Sequence, residues 1–220
     1  MAKDNMNEEN ENIFRDCVVS EIQNRIRDEL CKDINVGRIS FDQNGKISNP
    51  KSNQNKTDFE EIKPVSGTKK KRLRYIILIL ESPHIKEYQT ETPRPAAGLT
   101  GTNIRELFNE ALCKIKESGK FKLLIMNAIQ YQCSLGVPTD SFRDEVFKRV
   151  WDKFGGVDFV KRLNSTYKKG DIVINACTKG KHKPYLRDLV DDAINRVLPP
   201  DTTYYSVYHP SAWGKKKRSR

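Results

Sequence analysis

Three stretches of this chain place polar, chemically capable side chains directly after apolar runs. Glu81-Ser82-Pro83-His84 follows the run at 74–80, Asn127-Ala128-Ile129-Gln130-Tyr131 follows 121–126, and His209-Pro210-Ser211-Ala212-Trp213 follows 203–208. A carboxylate, a carboxamide and an imidazole are respectively an acid–base group, a two-sided hydrogen-bonding group and a group that titrates near neutrality. Singly each is ordinary, since Asn is a turn former and His-Pro a frequent loop opening. Their placement at successive run ends is less common and suggests one shared site. The cysteines, Cys17, Cys31, Cys113, Cys133 and Cys177, are odd in number and form no CxxC pair. This argues against a disulfide framework, a zinc site or an iron–sulfur cluster, and no metal or other cofactor is expected.

The elements that must position these groups follow from hydrophobic patterning. Continuous apolar runs at 74–80, 121–126, 171–177 and 203–208 predict strands buried on both faces. Helical spacing predicts helices over 102–116, 140–163 and 185–197. Strand alternating with helix predicts a parallel sheet covered on both sides, with its reactive groups just past the carboxyl ends of the strands. Upstream, Ile13, Val18, Val19, Ile22, Ile26 and Leu30 predict an amphipathic helix ending near Cys31, preceded by about ten mobile acidic residues. Between Asp42 and Lys70 the composition turns to Asn, Lys, Ser and Gly, the make-up of a linker or surface excursion. The expected organisation is an N-terminal helical segment (1–40), a polar and basic linker (41–72) and an α/β domain (73–220).

With 220 residues the chain suits one well-buried domain, and its net charge of +11 favours an anionic partner such as nucleic acid. Much of the excess sits in two basic tracts, at 69–74 and 215–220, which can equally be solvated flanks. No apolar run approaches membrane length and the first residues do not read as a secretory signal, so an intracellular, cytoplasmic protein without a membrane partner is expected.

Four segments in order, ILILESPHIKEY, PAAGLTGTNIRELF, LLIMNAIQ and YYSVYHPSAW, resemble the motifs of the uracil-DNA glycosylase superfamily over residues 74–213. The resemblance implies a three-layer α/β/α sandwich around a four-stranded parallel sheet. It also implies hydrolysis of the N-glycosidic bond of a deaminated base flipped out of single- or double-stranded DNA. On this resemblance His209 donates an N–H to the O2 of the leaving pyrimidine and Asn127 faces O4 and N3–H of uracil. Glu81 holds the attacking water with Ser82 beside it, and His84 or Tyr88 supplies a ring face for the base. Gly98, Thr100, Gly101 and Thr102 at a helix start, with Ser211, would receive phosphates. Trp213 would act as a wedge, and Lys215 would add salt-dependent attraction to DNA.

The chain departs from the family at two places. Ser82 stands where the well-known branches carry Asp or Asn, and Ala96 lies in the loop that normally brings an aromatic ring to the base. Two other readings therefore stand beside glycosylase: a non-catalytic relative that binds nucleic acid or a nucleotide in the same pocket, and a hydrolase or transferase of a small nucleotide.

Overall fold

The computed structural model describes residues 2–18, 26–41, 72–89, 92–134, 142–200, 202 and 204–214. The linker 42–71 and Lys215 lie outside them. At the centre is a five-stranded mixed sheet made of β1 (Ile34–Phe41), β2 (Arg74–Leu80), β3 (Gly119–Asn127), β4 (Ile172–Asn175) and β5 (Tyr205–Ser206). Their spatial order is β1-β3-β2-β4-β5. β2 pairs parallel with both β3 and β4, and β4 pairs parallel with β5. The α/β class is thus as expected, but the sheet is not purely parallel, because β1 adds an antiparallel edge against β3.

β2 shows why continuous apolar runs mark the centre of such a sheet. Ile77 and Ile79 point into one buried cluster, Ile76, Leu78 and Leu80 into the other, and all are at most 2% exposed. The first cluster is closed by α1 (Ala2–Cys17), α3 (Arg143–Val150), α4 (Gly156–Thr166) and α5 (Leu186–Val197), through Phe14, Phe147, Phe159 and Ile194 among others. The second is closed by α2 (Leu99–Ala111) through Ile104 and Phe108. α3 and α4 run on through a π-helical turn at Trp151–Gly155. There Ile129 and the Val150 carbonyl lie within reach of any side chain placed at Gly155.

The N-terminal segment departs from expectation. Residues read as a mobile tip belong to α1, which ends at Cys17 rather than near Cys31. Residues 26–33 carry no helix or strand and are fastened by long-range bonds instead. Cys31 N–H donates to the Gln130 carbonyl (2.9 Å) and Arg27 N–H to Gln132 Oε1 (2.8 Å). Asp33 pairs with Arg162 at 2.7 Å. Arg162 also donates to the carbonyls of Asn127 and Ala128, both at 3.0 Å, so this one guanidinium ties the N-terminal segment to the end of β3. The boundary expected at residue 40 falls inside β1, a strand of the same sheet.

α2 begins where the chain turns through Gly98, whose φ of 68° is in the region that favours glycine. At Gly101 a Cβ would lie 1.9 Å from the Ala96 carbonyl oxygen. Gly101→Ala is therefore expected to push the 95–98 turn off the helix and to cost about 1–3 kcal/mol of stability. Urea unfolding of the variant beside the parent checks this; an unchanged midpoint would contradict so close an approach.

Candidate active site

The carboxyl ends of the parallel strands open into a cleft of about 550 Å³. Its walls carry Glu81, Ser82, His84, Lys86 and Glu87 from the segment after β2, and Thr178 and Lys179 from the loop after β4. Thr100 of α2, Arg143 of α3 and Arg187 of α5 contribute, and Tyr208, His209 and Ser211 complete it from the loop after β5. Glu81 and His209, far apart along the chain, thus meet around one space.

Glu81 is the first residue beyond β2 and is 5% exposed. Burial raises its pKa, and the raise is opposed by Arg143 and by hydrogen bonds from Thr178 and Ser82. Arg143 Nε lies 3.6 Å from Glu81 Oε1 while its other contacts hold Asp144. Ser82 Oγ donates to Glu81 Oε1 at 3.3 Å. The result is a buried carboxyl kept basic for its class and fixed by three neighbours.

His209 sits at the start of a short turn, Pro210–Ala212. Its Nδ1 accepts the Ser211 backbone N–H (3.3 Å) and lies 2.8 Å from Ser211 Oγ. Desolvation, then repulsion from Arg143, Arg187 and His84, depresses its pKa to about 4. The ring is therefore neutral at physiological pH. With Nδ1 accepting, its proton resides on Nε2, which leaves one N–H donor available. Asn103 Nδ2, from α2, donates to the Pro210 carbonyl at 2.8 Å and anchors this turn to α2.

Several expected residues lie elsewhere. Asn127 ends β3 as predicted but does not line the cleft. It is 1% exposed, its Nδ2 lies 4.0 Å from Cys31 Sγ, and it bonds the Glu87 carboxyl. Its Oδ1 has no hydrogen-bond partner among the described residues. Its side chain lies against Glu87, which lines the cleft, and Cys31, which does not. Tyr88 is likewise outside the cleft, and its hydroxyl donates to the Glu29 carbonyl at 3.2 Å. In the α2 segment Thr100 and Leu99 reach the cleft, whereas Gly98 and Gly101 serve the turn. Thr102 Oγ1 accepts from Arg105 at 3.3 Å. Trp213 does not line the cleft: its Nε1 donates to the Tyr208 carbonyl (2.7 Å) and its ring meets Phe108 edge-on at 6.3 Å.

Sequence reasoning did not find Glu87, Arg143 or Arg187, and it read Lys179 only as the start of a solvated basic loop able to touch phosphate. Glu87 is 3% exposed and held among the Ala96 N–H (3.0 Å to Oε1), Cys31 and Asn127. Burial is the main reason its pKa rises to about 8. Its signal in the sequence was slight: an acid three residues after His84 in an otherwise mixed turn. Among the described residues no three His, Cys, Asp or Glu side chains group as metal ligands, and no helix is long and apolar enough to cross a membrane.

Comparison with known proteins adds no relative: no family model, curated protein or solved structure matches this chain.

Proposed function

We propose that this cleft hydrolyses the N-glycosidic bond of a uracil-type nucleotide in DNA, with His209 and Glu81 as its catalytic residues. One observation carries the reading: a neutral imidazole with its tautomer fixed by Ser211 shares a cleft with a buried, basic carboxylate. The ordered resemblance over 74–213, including YYSVYHPSAW, supports it. Glu81 orients a water toward the anomeric carbon and takes its proton as the new C–O bond forms. The C–N bond breaks with its electron pair passing to the base, where His209 Nε2–H meets the charge collecting on O2. Since Asn127 does not line the cleft, the base edge is read by Glu87. Its protonated carboxyl pairs an O–H donor with a carbonyl acceptor, which match O4 and N3–H of uracil. Ser82 serves by holding Glu81, so the missing family acid at that position is replaced by its neighbour.

Incubation with a uracil-containing single-stranded oligonucleotide is expected to create abasic sites, seen as alkali-sensitive breaks, while a thymine control strand stays intact. Tight binding of the uracil strand without breaks would overturn hydrolysis and favour the non-catalytic reading.

A further inference from the structure

Three cations reach the cleft from three separate elements. Lys86 lies in the 3₁₀ turn Ile85–Tyr88, Lys179 in the loop after β4, and Arg187 in the first turn of α5. The fourth cation there, Arg143, is neutralised by Glu81 and Asp144. Lys86, Lys179 and Arg187 have no carboxylate partner among the described residues, where the ion pairs fall to other cations. A half-buried guanidinium without an acid is costly to desolvate, and the cost is recovered when an anion arrives.

Arg187 is also fixed in place. Its Nε donates to the Cys177 carbonyl at 2.9 Å, and its own carbonyl accepts from Asn175 Nδ2 at 3.3 Å. With Nε committed, Nη1 and Nη2 remain as a planar fork of the kind that matches two phosphate oxygens. Lys179 Nζ lies 4.3 Å from the centre of the Tyr185 ring, at the residue that precedes α5. Lys179 and Arg187 thereby both lie at one helix start. Lys86 is kept in reach of the space by the tight turn at Gly98, where a Cβ would come within 3.0 Å of its Cδ. The space of about 550 Å³ is in the range of roughly 300–1,000 Å³ that accommodates ligands larger than one ring.

The geometry points to a phosphoryl subsite formed by Arg187 and Lys179 with Lys86, holding the phosphate of the nucleotide whose base reaches His209; it rests on the nucleobase reading of the cleft. The phosphate can belong to a free nucleotide or to a strand, and both offer the same pair of oxygens to the fork.

Calorimetric titration of the full chain at low, fixed salt tests this with deoxyuridine, its 5′-monophosphate, a uracil-centred pentanucleotide and inorganic pyrophosphate. The monophosphate is expected to bind about tenfold to a hundredfold tighter than deoxyuridine, the worth of charge-assisted hydrogen bonds. Arg187→Met, which keeps the aliphatic stem, should reduce that advantage to a few-fold and leave deoxyuridine affinity unchanged. Lys179→Met, on an exposed loop, should do so in part and covers the case in which the Arg187 variant does not fold. A pentanucleotide that binds tighter than the monophosphate assigns the phosphate to a strand, and the reverse assigns it to a free nucleotide. Pyrophosphate binding that Arg187→Met abolishes, with no uracil compound bound, would keep the subsite and remove the nucleobase reading. Equal affinity for deoxyuridine and its monophosphate, or a phosphate advantage untouched in both variants, overturns the subsite.

Discussion

His209→Ala is expected to slow uracil release by about 10²–10³-fold in single-turnover assays, the usual loss when one preorganised donor to a developing anion is removed. The expectation rests on the ring's state as much as its place. Because Nδ1 accepts from Ser211 N–H at 3.3 Å, Nε2 carries the proton, and because the pKa is held near 4 the ring remains neutral. A neutral donor stabilises the departing base without a preceding protonation, so the wild-type rate should show no inflection attributable to this ring between about pH 5.5 and 8. An inflection near 6.5, the ordinary imidazole value, would contradict the desolvated environment. The loss should fall on the chemical step with strand affinity little changed. A variant that lost affinity alone would place His209 in binding and not in catalysis. Ser211→Ala keeps the backbone N–H and loses only the hydroxyl at 2.8 Å from Nδ1. Its smaller effect would separate orientation of the ring from the donor itself.

That Glu81 could be anticipated follows from strand geometry. β2 is buried on both faces from Ile76 to Leu80, so its sequence has no alternation and its end is sharply marked by the first polar residue, Glu81. α5 was equally legible, since Leu186, Val190, Ala193 and Ile194 face the core at helical spacing. β1 was not legible. Its buried residues Ile34, Val36, Ile39 and Phe41 begin and end with a period of two, but the register shift at Asn35/Gly37 breaks the alternation between them. Val19 and Ile22 lie outside the described residues, but the helical spacing misled at Ile26 and Leu30 for a different reason. Residues 26–33 are placed by bonds to Gln130, Gln132 and Arg162, about a hundred positions away, and no local pattern encodes such partners. The same limit applies to Asn127: its position at the end of β3 was readable, but the direction of its side chain is set by Cys31 and Glu87. Arg143 and Arg187 enter the cleft from helix starts, so their convergence depends on how α3 and α5 pack and not on motif spacing.

Glu87→Gln is expected to stabilise the protein increasingly as pH rises, by a difference that approaches roughly 5 kcal/mol, each pKa unit being worth about 1.4 kcal/mol. The Glu87 pKa rises from 4.5 to about 8 on folding. Between those values the native protein retains a proton that the unfolded chain has released, so its stability falls with rising pH across the window and levels off above about pH 8. Glutamine cannot titrate, while its amide retains a donor and an acceptor for the Ala96 N–H, Cys31 and Asn127 surroundings. His209 imposes the opposite slope between about 4 and 6.5, because its pKa falls on folding and the unfolded chain holds the extra proton there. That contribution is common to parent and variant and cancels in their difference. Urea unfolding at pH 5, 6.5 and 8.5 should therefore show the variant's advantage small at the first, intermediate at the second and full at the third. An advantage that does not change with pH would mean that Glu87 is ionised in the fold and that the wall of the cleft presents only acceptors. The same titration has a functional side: on the proposed reading of the cleft, the parent loses above about pH 8 the O–H that would face O4 of uracil. Its affinity for deoxyuridine should then fall while that of Glu87→Gln does not, which ties the proton on this buried carboxyl to base recognition.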